Sequence, residues 1–113
     1  ALADRFGPAM VTSIAEEAEE YRYYIVFHNS RAVSTALDII RDGIIEVYCI
    51  STITEYRGRG IGRFVTGEPL RLASGEGYRT AILQASLQGE SVYRYLGFES
   101  FGDIPLYVRI PAA

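Results

Sequence analysis

"EYRGRGIG" (55–62) decides how this chain folds: three glycines and two arginines share eight positions. A flexible hinge has no use for the arginines. A basic surface patch has no use for glycine at every second position. Glycine lets an incoming group lie against the backbone without meeting a Cβ. Before the loop, "IIEVYCISTI" (44–53) reads as a strand, apolar enough to be central in a sheet. After it, Ile61, Phe64, Val65, Leu72 and Ala73 recur at helical spacing. A glycine loop between strand and helix aims free amides outward at the helix N-terminus, where the dipole adds partial positive charge. That setting suits an anion such as phosphate. A tight strand-to-helix turn with solvated arginines would use the same residues.

Two familiar phosphate loops are excluded. The P-loop needs Gly-Lys followed by Ser or Thr, and the loop has no lysine. The dinucleotide fingerprint G-x-G-x-x-G fails because position 63 is Arg. The spacing is instead Arg57-x-x-Gly60-x-Gly62.

Working outward, "AMVTSIAEEAEE" (9–20) reads as a helix after Pro8. "YRYYIVFH" (21–28) is aromatic and β-branched, a strand, and "AVSTALDII" (32–40) reads as its antiparallel partner. Asp42-Gly43 is a strong turn signal before the third strand. Pro69 interrupts the helix after the loop; it removes a donor and costs ~3 kcal/mol inside a regular helix, so a kink or break is expected near Thr66–Pro69. "GEGY" (75–78) ends that helix, and "RTAILQAS" (79–86) is a fourth strand. "GESVYRYL" (89–96) is a short helix stopped by Gly97, and "FESFG" with "IPLYVRI" suggests a closing hairpin. Strands first, then strand–helix–strand, give an α/β (α+β) domain with a mixed sheet.

Composition narrows the function. At 113 residues, 49% hydrophobic and 22% charged, the whole of 1–113 reads as one globular domain with a real core. A net charge of -3 argues against a broad nucleic-acid or anionic-membrane surface. Arg57, Arg59 and Arg63 therefore stand out as a local basic cluster. No apolar run reaches the length of a membrane span, no signal peptide is visible, and no internal repeat appears. One cysteine, Cys49, permits no internal disulfide and fits a reducing compartment, hence the cytoplasm.

The segment "ITEYRGRGIGRFVT" (53–66) resembles the central motif of the GNAT superfamily of acetyltransferases, R/Q-x-x-G-x-G/A between a strand and a helix. A second block, "ILQASLQGESVYRYLGF" (82–98), is similar to that family's later strand and helix, ending in Tyr-x-x-Leu-Gly-Phe. The resemblance covers about residues 21–110 and implies a mixed, mostly antiparallel sheet flanked by helices. It also implies acetyl-CoA as acyl donor and direct transfer to an amine, small molecule or peptide, without a covalent enzyme intermediate. The pyrophosphate would then meet the segment Arg57, Gly58, Arg59, Gly60, Ile61, Gly62 and Arg63. The resemblance places the pantetheine arm in a gap where the preceding strand splays at a bulge, along the backbone of Ile50, Ser51 and Thr52.

Transfer to an amine needs loss of the acceptor's proton and a proton for the departing thiolate. The resemblance points to Tyr93, five residues before Phe98, as general acid. It points to Glu46, eleven residues before Arg57, as general base; a water chain to solvent would serve as well. Ser86, seven residues before Tyr93, stands where many members carry an asparagine that contacts CoA. Cys49 reads as a core residue, and His28, the only histidine, as structural or superficial. Twenty residues precede Tyr21, room for one helix where the family usually has a strand and two helices. A homodimer or an additional N-terminal domain is the expected remedy, and the chain opening at Ala1 fits processing or a longer protein. The alternative is a non-catalytic CoA-binding or interaction domain.

Overall fold

The computed structural model describes residues 18–111. Four strands form one sheet in the order β1-β2-β3-β4: β1 Glu20–His28, β2 Arg31–Arg41, β3 Ile44–Thr52 and β4 Thr80–Leu83. Both β1–β2 and β2–β3 are antiparallel, and β3–β4 is parallel. A parallel neighbour requires a crossover, supplied by helix α1 (Ile61–Gly75). A second helix, α2 (Glu90–Tyr95), follows β4. The sheet is mixed, mostly antiparallel and flanked by helices, as expected. The helix expected over 9–20 lies outside the described residues except for its end, where Glu20 already opens β1.

Each hairpin closes through two residues with positive φ, Asn29 (49°) with Ser30 (65°), and Asp42 (52°) with Gly43 (75°). Paired left-handed residues match the right-handed twist of the strands. The core forms where the sheet meets α1. Ile40, Ile45 and Val47 are buried against Ala73, with Leu70, Ala81 and Leu83 packed around them. Burying each large aliphatic side chain contributes ~1.5–3 kcal/mol.

The helix α1 runs through Pro69 without the break that the sequence also allowed. Its buried face is Val65, Thr66, Pro69 and Ala73, a stripe at helical spacing that includes the proline ring itself. Burial of that stripe offsets the lost bond at Pro69. Both helices end in the same device. Gly77 (φ 104°) follows α1, with Tyr78 N–H donating to the Ala73 carbonyl and Gly77 N–H to Ser74. Gly97 (φ 97°) follows α2, with Phe98 N–H donating to the Tyr93 carbonyl and Gly97 N–H to Arg94. These paired bonds are Schellman motifs, which need a left-handed residue and so favour glycine.

Two further expectations fail. The fourth strand stops at Leu83 rather than Ser86, because β3 turns away and leaves nothing on that side to pair with. The closing hairpin is absent: residues 98–111 carry neither helix nor strand, and 99–111 are exposed.

Candidate active site

Cys49 opens the site. It takes φ 55° in the middle of β3, where Tyr48 and Ser51 pair with Leu37 and Thr35 of β2. Two residues, Cys49 and Ile50, therefore face the single residue Ala36, which is a β-bulge. Thr35 Oγ1 donates to the Cys49 carbonyl at 3.1 Å and fixes the bend. Pairing with β4 covers only Ile44–Val47 opposite Thr80–Leu83. Past that point the two parallel strands part, and Ile50 has no ladder partner on either side.

A cleft of about 470 Å³ occupies the gap. One wall is Ile50, Ser51 and Thr52 at the end of β3, the floor is Gly58, Gly60, Ile61, Gly62 and Arg63, and the far wall runs from Ser86 to Tyr93. Arg57 lines it too, but its Nε donates to the Thr52 carbonyl at 3.0 Å, tying loop to strand. Ser34 Oγ donates to the Ser51 carbonyl at 2.8 Å, so the strand end is fixed from β2 as well.

Gly60 precedes α1 with φ 83°, and no side chain caps the helix. The first amides of α1 thus keep their bonding capacity. A Cβ built on Gly58, Gly60 or Gly62 meets no protein atom within 4 Å, so the glycines border open space. Arg63 stacks over the Tyr95 ring at 3.8 Å from its centroid. Among the residues lining the cleft there is no carboxylate. The local field therefore favours an anion.

On the far wall, Ser86 Oγ accepts from the Gly89 N–H at 3.1 Å, where α2 begins. Tyr93 stands over Gly89: a Cβ there would lie 2.9 Å from the tyrosine ring, so glycine is what lets the ring occupy this place. Phe98 meets the same ring edge-on, with centroids 6.2 Å apart. Burial pushes the Tyr93 phenol above its ordinary range, so it is protonated at neutral pH.

Eleven of the thirteen residues singled out from the sequence line this one cleft; Arg59 and Glu46 do not. Arg59 lies over the Tyr56 ring at 4.8 Å, and Tyr56 in turn bonds His28 Nδ1 at 2.9 Å. Glu46 is held by Arg41 Nε at 2.7 Å and accepts from the Tyr48 hydroxyl at 3.3 Å. Cys49 is exposed at the bulge rather than in the core. Sequence reasoning missed Tyr56, Gln88, Gly89 and Val92 as lining residues. For Gly89 the signal was present: a glycine four residues before Tyr93, one helical turn away. Among the described residues, no cluster of His, Cys, Asp or Glu could hold a metal ion. No helix among them is long and apolar enough to cross a membrane.

No protein-family model matches the sequence. Solved structures do resemble it. An acetyltransferase from Pyrococcus furiosus, assigned as such only provisionally, superimposes with TM-score 0.71 at 17% identity, over 96% of this chain and 76% of that one. Aminoglycoside N-acetyltransferase AAC(6')-Iy in complex with CoA gives 0.68 at 19%, over 95% and 90%. The ribosomal-protein-S18-alanine N-acetyltransferase of Escherichia coli gives 0.66 at 21%, over 79% of this chain. The chain spans 59% of the length of that enzyme. Likeness at these identities is a likeness of fold, and together with the splayed sheet it shows that this chain has the fold of the GNAT acetyltransferases.

Proposed function

We propose that the protein is an N-acyltransferase that moves an acetyl group from acetyl-CoA directly to an amine, in the cytoplasm. The observation that carries this reading is the uncapped, glycine-bordered start of α1 opening into the same cleft as the Tyr93 ring. The residues fit the donor. Gly58, Gly60 and Gly62 border open space and Arg63 lines the same cleft, which suits a pyrophosphate. The free edge of β3 at Ile50 suits an extended arm bearing amides. Two solved neighbours are AAC(6')-Iy with CoA and with a bisubstrate analogue of CoA.

Acetyl-CoA supplies an activated carbonyl and a thiolate leaving group. Tyr93 Oη holds a proton for that sulfur, and its raised pKa keeps the proton in place until it is needed. Glu46 stands outside the cleft lining with Arg41 on its carboxylate, so as base it acts through water. The amine nitrogen loses its proton by that route as the C–N bond forms and the C–S bond breaks. The acceptor is a small-molecule or peptide amine.

The test is thiol release from acetyl-CoA across a panel of amines, alongside thermal unfolding with CoA. Binding to the folded state alone raises Tm by mass action, and salt weakens the effect by screening phosphate contacts. An unchanged Tm at saturating CoA overturns the reading. A raised Tm with no thiol release for any amine reduces the protein to a coenzyme-binding domain.

A further inference from the structure

We propose that Tyr95 is a positioning residue for the coenzyme's phosphates: its ring holds the Arg63 guanidinium by the face and leaves the edge free for the anion. Tyr95 lies outside the lining of the cleft and acts through Arg63, which is part of it. Its role rests on the coenzyme reading proposed above.

Arg63 is the third residue of α1. A cation in the first turn of a helix works against the dipole, so the helix by itself does not favour arginine there. An anion held at the same turn reverses that sign. Elsewhere Arg22, Arg31, Arg41, Arg71 and Arg94 each hold a carboxylate, and Arg57 holds the Thr52 carbonyl. Arg63 makes no hydrogen bond or ion pair with any described residue. What it meets instead is the Tyr95 ring, 3.8 Å from the centroid. On the same helix as Tyr95, the Glu90 carboxylate is already taken by Arg94 at 2.6 Å.

Stacking occupies only the flat face of a guanidinium. The N–H donors lie in its plane, so they stay available to a phosphate. A guanidinium packed on a ring is also pre-organised, and less freedom is lost when the anion arrives. The ring is what Tyr95 contributes, because its hydroxyl makes no hydrogen bond among the described residues. Packing does not account for the residue: Tyr95 is 67% exposed, and α2 buries none of its side chains.

The experiment measures affinity for CoA and for inorganic pyrophosphate by calorimetry on the full chain. Tyr95→Leu should weaken both at least ~5-fold, as expected when a partly desolvated cation–π contact is lost. Tyr95→Phe keeps the ring and should stay within ~2-fold of wild type. Arg63→Met should weaken both at least ~10-fold by removing a charge-assisted contact to phosphate. Adding Tyr95→Leu to Arg63→Met should change nothing further, because the two residues act as one unit. Because Tyr95 is exposed, the fold should survive each change, with circular dichroism as the check. Wild-type affinity in Tyr95→Leu overturns the proposal. A loss confined to CoA also overturns it, since the effect would then lie on the α2 wall and not on phosphate. An equal loss in Tyr95→Phe overturns it by making the hydroxyl the cause, and additive losses in the double variant do so by separating Tyr95 from Arg63. A wild-type chain that binds pyrophosphate but not CoA sinks the acyl-transfer reading, and the pyrophosphate series then decides this one. Binding of neither sinks both.

Discussion

The two halves of β3 share a strand and differ in what holds them. From Ile44 to Val47 the strand is flanked by β2 on one side and β4 on the other, with Ile45 and Val47 buried beneath α1. From Tyr48 to Thr52 it is held by β2 alone, and the bulge at Cys49 turns it toward the cleft. The first half supplies stability. The second forgoes pairing on one flank, and the backbone freed there becomes available to a ligand.

The contrast breaks most visibly at Ile45. Ile45→Ala removes core volume that the rigid sheet cannot refill, and should cost about 3 kcal/mol in denaturant unfolding. Donor affinity of the folded fraction should not change; a matching loss of affinity would mean the two halves are not separable.

Tyr93→Phe tests the cleft side. It keeps the ring against Gly89 and Phe98 and removes only the hydroxyl. Under the acyl-transfer reading kcat should fall at least ~10²-fold with CoA affinity nearly unchanged, the pattern for an interaction made in the transition state. Turnover at the wild-type rate would make Tyr93 a packing residue.

Asp38 sharpens the comparison by pH. It pairs with Val47 in the ladder and is buried, and burial raises its carboxyl from 3.8 to about 6 despite the Arg22 guanidinium. A folded pKa above the unfolded value means stability that is full below about pH 4 and lost as pH rises through about 6. Asp38→Asn should therefore stabilise the protein by on the order of 2 kcal/mol above pH ~7 and flatten the loss between those limits. Equal Tm curves for both proteins from about pH 4 to about pH 8 would show that Asp38 ionises without penalty.

Gly60→Ala should cost about 1 kcal/mol, because φ 83° crowds a Cβ against the following carbonyl. Ser51→Ala is the smallest change. Its side chain is exposed and its carbonyl already accepts from Ser34, so stability should move by less than about 0.5 kcal/mol. A large loss of stability at Ser51 would place side-chain packing where the structure shows backbone.

Local signals made much of this legible. The aromatic and β-branched run of β1, Asp42-Gly43 and the two helix-ending glycines each act within a few residues, and each was readable. The cleft's floor was legible because glycines and arginines cluster in one loop. Pro69 misled because its local cost is offset by tertiary burial, which no window of sequence contains. "IPLYVRI" misled because strand propensity says nothing about whether a partner strand is at hand. Glu46 and Arg41 are close in sequence, yet their pairing depends on the hairpin placing both side chains on one side of β3 and β2.

The left-handed residue at the bend has a practical use. Cys49 is the only thiol in the chain, it is exposed, and it sits where the paired half of β3 gives way to the free half. A polarity-sensitive dye attached there needs no competing cysteine removed and no new one introduced. Its emission would report, in one colour change, when something enters the gap between the parted strands.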